Sequence, residues 1–271
     1  MCEGWRRMVV IAAAAMCLLF FTYVKADLKV GLYEKVGLYG SEGQDARPLP
    51  EPKPFFDAVR RNLARSQEAQ SLYAYKERRT DLDLNPFGHV GTGGTRLTEV
   101  TPTRDGAMNR RLLERDGHPV PASPVVRRQN RMPMGRSMVD DVTSVLDVAM
   151  DRRDMLNGRP AIVVSFHSRP DRKPRTREGK IARSFKGLIW IDEEAREVAR
   201  IDATAVDDIS FGYGMLARLN EGSTVMVQRQ QVDRETWQPT SLRFNGEGRA
   251  LLFRKLVIDF ALDWFDYRRV L

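Results

Sequence analysis

The sequence predicts a mainly β domain of the α+β class, built on an antiparallel sheet with a few covering helices. Residues 161–166 and 185–191 are short apolar runs rich in β-branched side chains, the composition of buried strands. A turn dipeptide at residues 157–158 precedes the first run, and a polar turn at residues 192–194 follows the second. Strands joined by such short turns pair in antiparallel fashion, so we expect residues 157–209 to form a meander, with its third strand at residues 197–206.

Size and charge bound the function class only broadly. The 271 residues suffice for one large β-rich domain or two small ones. A net charge of +8 permits nucleic acid, anionic lipid or acidic protein as a partner. The N-terminus predicts that the chain is exported. Export argues against nucleic acid as its partner.

Residues 1–26 have the three-part pattern of a secretory signal. Arg6 and Arg7 precede an uncharged apolar run at residues 8–24, and the start of the mature chain is predicted at Asp27. We therefore expect a periplasmic protein. An uncleaved inner-membrane anchor is the alternative, because a run of this length is near the lower limit for a spanning helix. Both cysteines lie inside the signal, so the predicted mature chain has no disulfide and no thiolate nucleophile.

The first half of the mature chain is predicted to pass from a linker to a helix and then to strands. Residues 27–54, with their cluster of prolines, form a flexible lead-in. Residues 55–70 have apolar side chains at helical spacing. A strand at residues 72–84 places Tyr73 and Tyr75 on one face. Further predictions, in chain order, are a turn at 85–88, a glycine-rich hairpin tip at 91–94, strands at 96–100 and 108–115, a loop at 119–133, a short helix at 136–146 and a strand at 146–153.

The C-terminal part is predicted to be β again. Residues 207–219 contain spaced glycines and predict a bent connection with one helical turn. Strands are expected at residues 223–232 and 237–246. Residues 250–265 alternate over a long span, yet both faces are largely apolar. Such a strand needs cover on both sides, from helices on one and from a cavity, a barrel interior or a ligand on the other.

A basic segment at residues 169–183 interrupts the meander, and two interpretations remain open for it. It is either a solvated loop or short helix between two strands, or an electropositive lip for an anionic partner. That partner would be a phospholipid head group, a lipopolysaccharide or an acidic protein face. Residues 176–184 can form about two helical turns, which would make a lid. The candidate lid cations are Arg172, Lys173, Arg175 and Arg177.

The sequence contains no motif for catalysis or for a cofactor. Its three histidines, His89, His118 and His167, lie far apart in or beside turns. There is no zinc-ligand spacing, no nucleophile elbow and no complete phosphate-binding loop. We therefore expect no enzyme, no metal and no cofactor.

Several sequence stretches resemble those of exported proteins grouped with the outer-membrane lipoprotein-sorting (LolA-like) superfamily. They are GRPAIVVSF, FKGLIWIDEEAREVARID, YAYKERRTDLDL and TWQPTSLRF. The resemblance covers residues 55–271. It implies a strongly curved antiparallel sheet, an incomplete and half-open β-barrel, with an apolar groove under helices. It matches no individual functional residue.

The resemblance implies a periplasmic carrier or binding protein for lipid or lipoprotein acyl chains, with possible contact with a membrane surface. The alternative is a sensing module of the same fold that binds envelope proteins. An apolar ligand would gain affinity by burying its surface. The candidate groove residues are Tyr73, Tyr75, Ile162, Val164, Phe166, Trp190, Phe244, Phe260 and Trp264.

Overall fold

The computed structural model describes residues 47–81, 94–121, 123–129, 141, 144–211, 217–234, 236–250 and 254–270. The predicted signal, most of the lead-in, the turn at 85–88, nearly all of the glycine-rich tip and most of the helix predicted at 136–146 lie outside these residues. Two α-helices are described, α1 (Pro52–Ala69) and α2 (Arg177–Arg183), with a 3-10 turn at Gln70–Leu72. The strands are β1 (Tyr73–Asp81), β2 (Gly94–Pro102), β3 (Ala107–Arg115), β4 (His118–Pro119), β5 (Val126–Gln129), β6 (Leu146–Leu156), β7 (Arg159–Ser168), β8 (Phe185–Asp192), β9 (Glu197–Ala205), β10 (Ile209–Phe211), β11 (Ala217–Leu219), β12 (Thr224–Gln231), β13 (Trp237–Ala250) and β14 (Arg254–Arg269).

Helix α1 forms as its spacing predicts. It begins at a proline, whose missing N–H costs nothing in the first turn. Its apolar stripe is almost fully buried, with no member more than 3% exposed. The stripe consists of Phe55, Phe56, Val59 and Leu63. Burial of these four side chains attaches the helix to the sheet.

All described strands join one antiparallel sheet with the order β4-β3-β2-β1-β14-β13-β12-β9-β8-β7-β6. Strand β5 pairs with β3, and β11 joins β10 to β13. The end strands β4 and β6 do not pair with each other within the described part of the chain, so the sheet is open. The predicted fold class, a mainly β open curved sheet with a few helices, is confirmed.

Two turns have the geometry that tight hairpins require. Asn157 and Gly158 have φ angles of 53° and 77°, and Asp116 and Gly117 have φ angles of 53° and 78°. Positive φ at both central residues is typical of the two-residue turn that matches the twist of paired strands. These turns set the registers of β6 with β7 and of β3 with β4.

Two predictions for connecting segments were wrong in part. The bent connection predicted at residues 207–219 contains strands β10 and β11 on either side of residues 212–216, which are outside the described part. The loop predicted at residues 119–133 contains β5, whose Val126 pairs with Arg110. In both segments, glycines or prolines predict a break, but β-branched and aromatic side chains pair at an available strand edge.

The two faces of the sheet differ in what covers them. We call the face that packs against α1 and α2 the inner face, and the opposite side the outer face. The main apolar core lies between the inner face and these helices, and it draws side chains from β6 to β14. The outer face carries many charged pairs, such as Arg243 with Asp263 and Arg200 with Asp202.

Candidate functional site

A lateral row of side chains crosses ten strands of the inner face. Directly paired residues on neighbouring antiparallel strands share a face, so the strand register defines the row. Its members from β6 to β14 are apolar, whereas its members on β1, β2 and β3 are arginines. In order, they are Met150, Val164, Ile189, Ile201, Val227, Leu242, Leu262, Arg79, Arg96 and Arg115. The inner face therefore changes from apolar to basic between β14 and β1.

The neighbouring row of the inner face is also apolar from β6 to β14. It reads, from β6 to β1, Val148, Phe166, Gly187, Ala203, Val225, Phe244, Phe260 and Asp81. The rings of Phe244 and Phe260 stack with centroids 5.5 Å apart. An uninterrupted apolar surface thus spans seven strands and ends at an acidic side chain on β1.

Five of the predicted groove residues come together on this surface. Ile162, Val164, Phe166, Phe244 and Phe260 all face the inner side, and none is more than 2% exposed. The apolar stripe of α1 and two side chains of α2 belong to the same core. In this structure the protein's own side chains therefore cover the predicted groove.

The apolar surface is only partly covered at its two margins. Val148 and Met150 on β6, and Ile258 and Trp264 on β14, pack against the core but are partly buried. The β14 margin lies beside β1, because Trp264 pairs with Glu77. At this margin, a half-exposed apolar surface meets charged groups.

The charged groups on β1 are held in place by their neighbours. The Arg79 guanidinium lies 4.7 Å from the centre of the Phe260 ring and donates to Asp81 at 2.8 Å. Glu77 accepts a hydrogen bond from Trp264 Nε1 at 3.1 Å and another from Arg110. Such contacts orient side chains that would otherwise be mobile in solvent.

The two predicted tyrosines meet at a third, Tyr267. The Tyr267 ring centroid lies 6.4 Å from that of Tyr73 and 5.3 Å from that of Tyr75. Burial, with the nearby Glu77 carboxylate, raises the pKa of Tyr75 to about 12. Burial also raises the pKa of Tyr267, whose hydroxyl donates to Pro239 O at 2.6 Å. Both phenols are therefore neutral near pH 7.

Trp190 does not join the other predicted groove residues. It pairs with Val163 of β7 and lies on the outer face. Its Nε1 donates to Asp154 Oδ2 at 3.1 Å, and the Arg200 guanidinium lies 5.2 Å from its ring centre. The Trp190 side chain thus covers the outer side of the meander.

Helix α2 lies in the basic segment, within residues 176–184, where the sequence predicts about two helical turns. The Thr176 side chain caps the helix by accepting from Gly179 N at 3.0 Å. The buried Asp141 carboxylate accepts from Arg175 N at 2.9 Å and from Thr176 N at 2.6 Å. Burial disfavours the charged form, but the hydrogen bonds from Thr176 and Arg175 outweigh it, and the pKa of Asp141 is lowered.

The basic segment carries exposed cations before α2 and apolar side chains on α2. Arg172, Lys173 and Arg175 are exposed, and Arg177 is the first residue of α2. Ile181 and Ala182 of the same helix are buried in the core over β7 and β8. The segment therefore covers the inner face with apolar side chains and presents cations outward.

A buried polar network at the C-terminal half of α1 was not predicted from the sequence. Ser66 donates to Glu197 at 2.6 Å, and Glu197 also accepts from Arg229 at 2.9 Å. Trp237 N donates to the Ser66 hydroxyl, and Gln238 donates to the Ser66 carbonyl. Ser66 follows Val59 and Leu63 on the helix stripe, and this spacing is the one signal that could have placed it against the sheet.

Two absences hold for the described residues. Within them, no group of three or more histidine, cysteine, aspartate or glutamate side chains is placed to hold a metal ion. Also within them, no helix combines the length and the apolar character needed to cross a membrane.

No protein-family model and no curated protein matches the chain. Solved structures align with it at low identity. A DUF1329 family protein from Desulfovibrio piger is 14% identical, the alignment covering 80% of this chain and 92% of that chain, with a TM-score of 0.32. A putative outer membrane lipoprotein-sorting protein domain from Vibrio parahaemolyticus is 13% identical, covering 78% and 93%, with a TM-score of 0.33. A LolA superfamily protein from Nitrosomonas europaea is 11% identical, covering 76% and 92%, with a TM-score of 0.31.

The superfamily that the sequence resembles is thus represented among the solved structures that align with the chain.

Proposed function

We propose that this protein is a periplasmic binding protein or carrier that holds the acyl chain of a lipid or lipoprotein on the inner face of its sheet. The observation that carries the proposal is the apolar row that crosses seven strands and ends at arginines on β1 to β3. An apolar surface with a charged end is complementary to an amphipathic ligand. Each methylene group that such a surface buries contributes about 0.8 kcal/mol before the costs of binding.

In the proposed mechanism, α1 and the acyl chain compete for the inner face. The α1 stripe occupies the apolar surface, and the acyl chain reaches it from the β14 margin. Ile258 and Trp264 are only partly buried there, so a chain contacts them before α1 moves. The chain then replaces α1 side chains such as Phe55 and Val59 on the sheet. The basic segment is a second cover of the inner face. It acts as a lid, and its helix α2 lies over β7 and β8.

The proposed role requires no chemical step. The inner face binds by burial of apolar surface, and the charged margin orients the ligand. The export signal expected at residues 1–26 would place this activity in the periplasm.

Lipid extraction tests the proposal. The full chain is produced with its own signal in a Gram-negative host, purified from the periplasm and extracted with organic solvent for mass spectrometry. We expect acyl lipid in about stoichiometric amount, and saturable binding of a fluorescent fatty acid after its removal. Lipid-free protein that also fails to bind the fatty acid would refute the proposal. A stable complex with an envelope protein in its place would favour the sensing module.

A pair of variants on one strand tests whether the inner face is the site. Ile258 faces inward and Val257 outward, and both are partly buried. We expect Ile258→Gln to weaken fatty-acid binding about tenfold, because it places an amide on the apolar margin. Val257→Gln is the matched control and should change the affinity less than twofold. Equal effects of the two variants on the Kd would place the site elsewhere.

A further inference from the structure

We propose that the arginine row, which consists of Arg79, Arg96 and Arg115, binds the phosphate head group of an acyl lipid whose chain lies on the apolar inner face. This inference rests on the proposed function and names the ligand class more closely. It assigns an anionic subsite at the basic end of the row, on β1, β2 and β3.

The register places three like charges side by side on adjacent strands. Arg79 pairs with Arg96, and Arg96 pairs with Arg115. Directly opposed residues have Cβ atoms about 4.5–5.5 Å apart, and like charges in this position destabilise a sheet. Repulsion within the row therefore opposes folding, and the pairing of Arg79 with Asp81 offsets part of it. An arrangement that is unfavourable for folding is expected where it serves binding.

The described side chains near the row include both acids and a further arginine. Asp81 and Glu77 neighbour Arg79 on the inner face, and Glu77 also accepts from Arg110. Among these described side chains, arginines outnumber carboxylates. An anionic group placed over Arg96 would lie between two other guanidinium-bearing strands, each about 4.8 Å away.

The row also has the chemistry that phosphate recognition needs. A guanidinium presents a planar fork of N–H donors that matches two phosphate oxygens. Arg79 is already oriented by the Phe260 ring and by Asp81. Arg96 is half-buried and Arg115 is exposed, so access to the row increases from the core towards β3.

The arginine row adjoins the apolar surface. This arrangement favours a lipid over a free anion as the ligand. Arg79 pairs directly with Leu262, the last apolar member of the row, and it contacts the ring of Phe260. A ligand that spans this boundary needs an acyl chain and a negative head group only a few bonds apart. A phosphorylated acyl lipid has both.

Two fluorescent probes with identical acyl chains test the inference, phosphatidic acid and diacylglycerol, which lacks the phosphate. Each is offered from phosphatidylcholine vesicles to the full chain, and the probe in the vesicle-free protein fraction is measured. We expect the protein to bind phosphatidic acid at least tenfold more tightly than diacylglycerol. We expect Arg96→Gln/Arg115→Gln to remove most of this preference and to leave diacylglycerol binding within twofold of the original value.

The matched control removes two arginines from the outer face of β1 and β3. Arg78 on β1 lies over Phe265, and Arg111 on β3 pairs with Glu99. Arg78→Gln/Arg111→Gln has the same net charge as the test variant and should keep the phosphatidic acid preference. Thermal unfolding of both variants shows whether each is folded.

The outcomes separate the two proposals. Equal binding of the two probes by the unchanged protein, or equal loss of preference in test and control variants, would overturn the arginine-row assignment while leaving acyl-chain binding intact. Failure to bind either probe would overturn the proposed function and the assignment with it.

Discussion

The most unusual single residues in the core are the buried charges Glu197 and Arg229. Their side chains are 3% and 8% exposed, and they form an ion pair at 2.9 Å. The remaining polar atoms are satisfied, because Arg229 also donates to the carbonyls of Val198 and Trp237. Ser66 links the pair to α1. A charge pair can lie beneath a helix without a large cost in folding free energy when its polar atoms are all hydrogen-bonded.

Removal of one partner of this pair should be costly. We expect Glu197→Ala to lower the free energy of unfolding by about 3–5 kcal/mol, because it leaves the Arg229 guanidinium buried without its counter-ion. Urea unfolding followed by circular dichroism measures the change. The exposed pair of Arg111 with Glu99 is the control, and Glu99→Ala should cost under about 1 kcal/mol. A Glu197→Ala cost as small as this would show that the network does not hold α1.

The sequence predicted which side chains face the core where only one face of an element is apolar. It did not do so where both faces of a strand are apolar. The stripe of α1 was correct because polar residues cover its other side. In β8, successive side chains point to opposite faces of the sheet, so Trp190 and its neighbours Ile189 and Ile191 lie on different faces. Since both faces of this strand are apolar, the sequence does not say which one turns inward. The inclusion of Trp190 among the groove candidates follows from this ambiguity.

At the scale of elements, the order of helix and strands could be predicted along much of the described chain. Turn dipeptides such as residues 157–158, followed by β-branched runs, fix the hairpins. The errors lie where short strands β5, β10 and β11 pair at edges. Their pairing depends on an edge that another strand offers, β3 for β5 and β13 for β11. Local composition alone therefore does not predict them.

The clamp formed by Asp141 should control the order of the basic segment. Its carboxylate accepts from the backbone of Arg175 and Thr176 just before α2. We expect Asp141→Asn to speed hydrogen exchange in residues 175–183 by about tenfold or more at pH 7, because the amide accepts fewer hydrogen bonds. Mass spectrometry of peptic fragments measures this rate, with β12 as an internal reference. Unchanged exchange would mean that the clamp does not order α2.

The same clamp gives a pH dependence with a defined sign. The pKa of Asp141 is lowered in the folded protein. Its stabilising contribution is therefore fully present above the ordinary aspartate pKa of about 3.9 and is lost as pH falls through the lower folded value. Protection of residues 175–183 should be equal at pH 7 and pH 5 and should drop below about pH 4. Loss of protection between pH 7 and pH 5 would contradict this assignment.

At the scale of the whole molecule, the functional surface depends on register. The apolar row and the arginine row have members in ten strands, from β6 to β3. Arg79, Arg96 and Arg115 are separated by long stretches of sequence, and nothing local distinguishes them from the other arginines. The pairing of β14 with β1, of β1 with β2 and of β2 with β3 brings them to the end of the apolar surface.

Five of the predicted groove residues are buried on the inner face beneath the helices. A sheet with an apolar inner face cannot leave that face in water, so α1 covers it. The side chains of Phe55, Phe56, Val59 and Leu63 stand where an acyl chain would lie. The account therefore predicts competition between α1 and the ligand for one surface.

Photo-crosslinking with a fatty acid that carries a diazirine at its methyl end tests this central claim most directly. We expect saturable labelling of inner-face residues on β13, β14 and α1, such as Ile258, Phe260 and Phe55. Excess palmitate should block this labelling. Labels on outer-face residues, such as Trp190 and Phe265, or labelling that palmitate does not block, would contradict it.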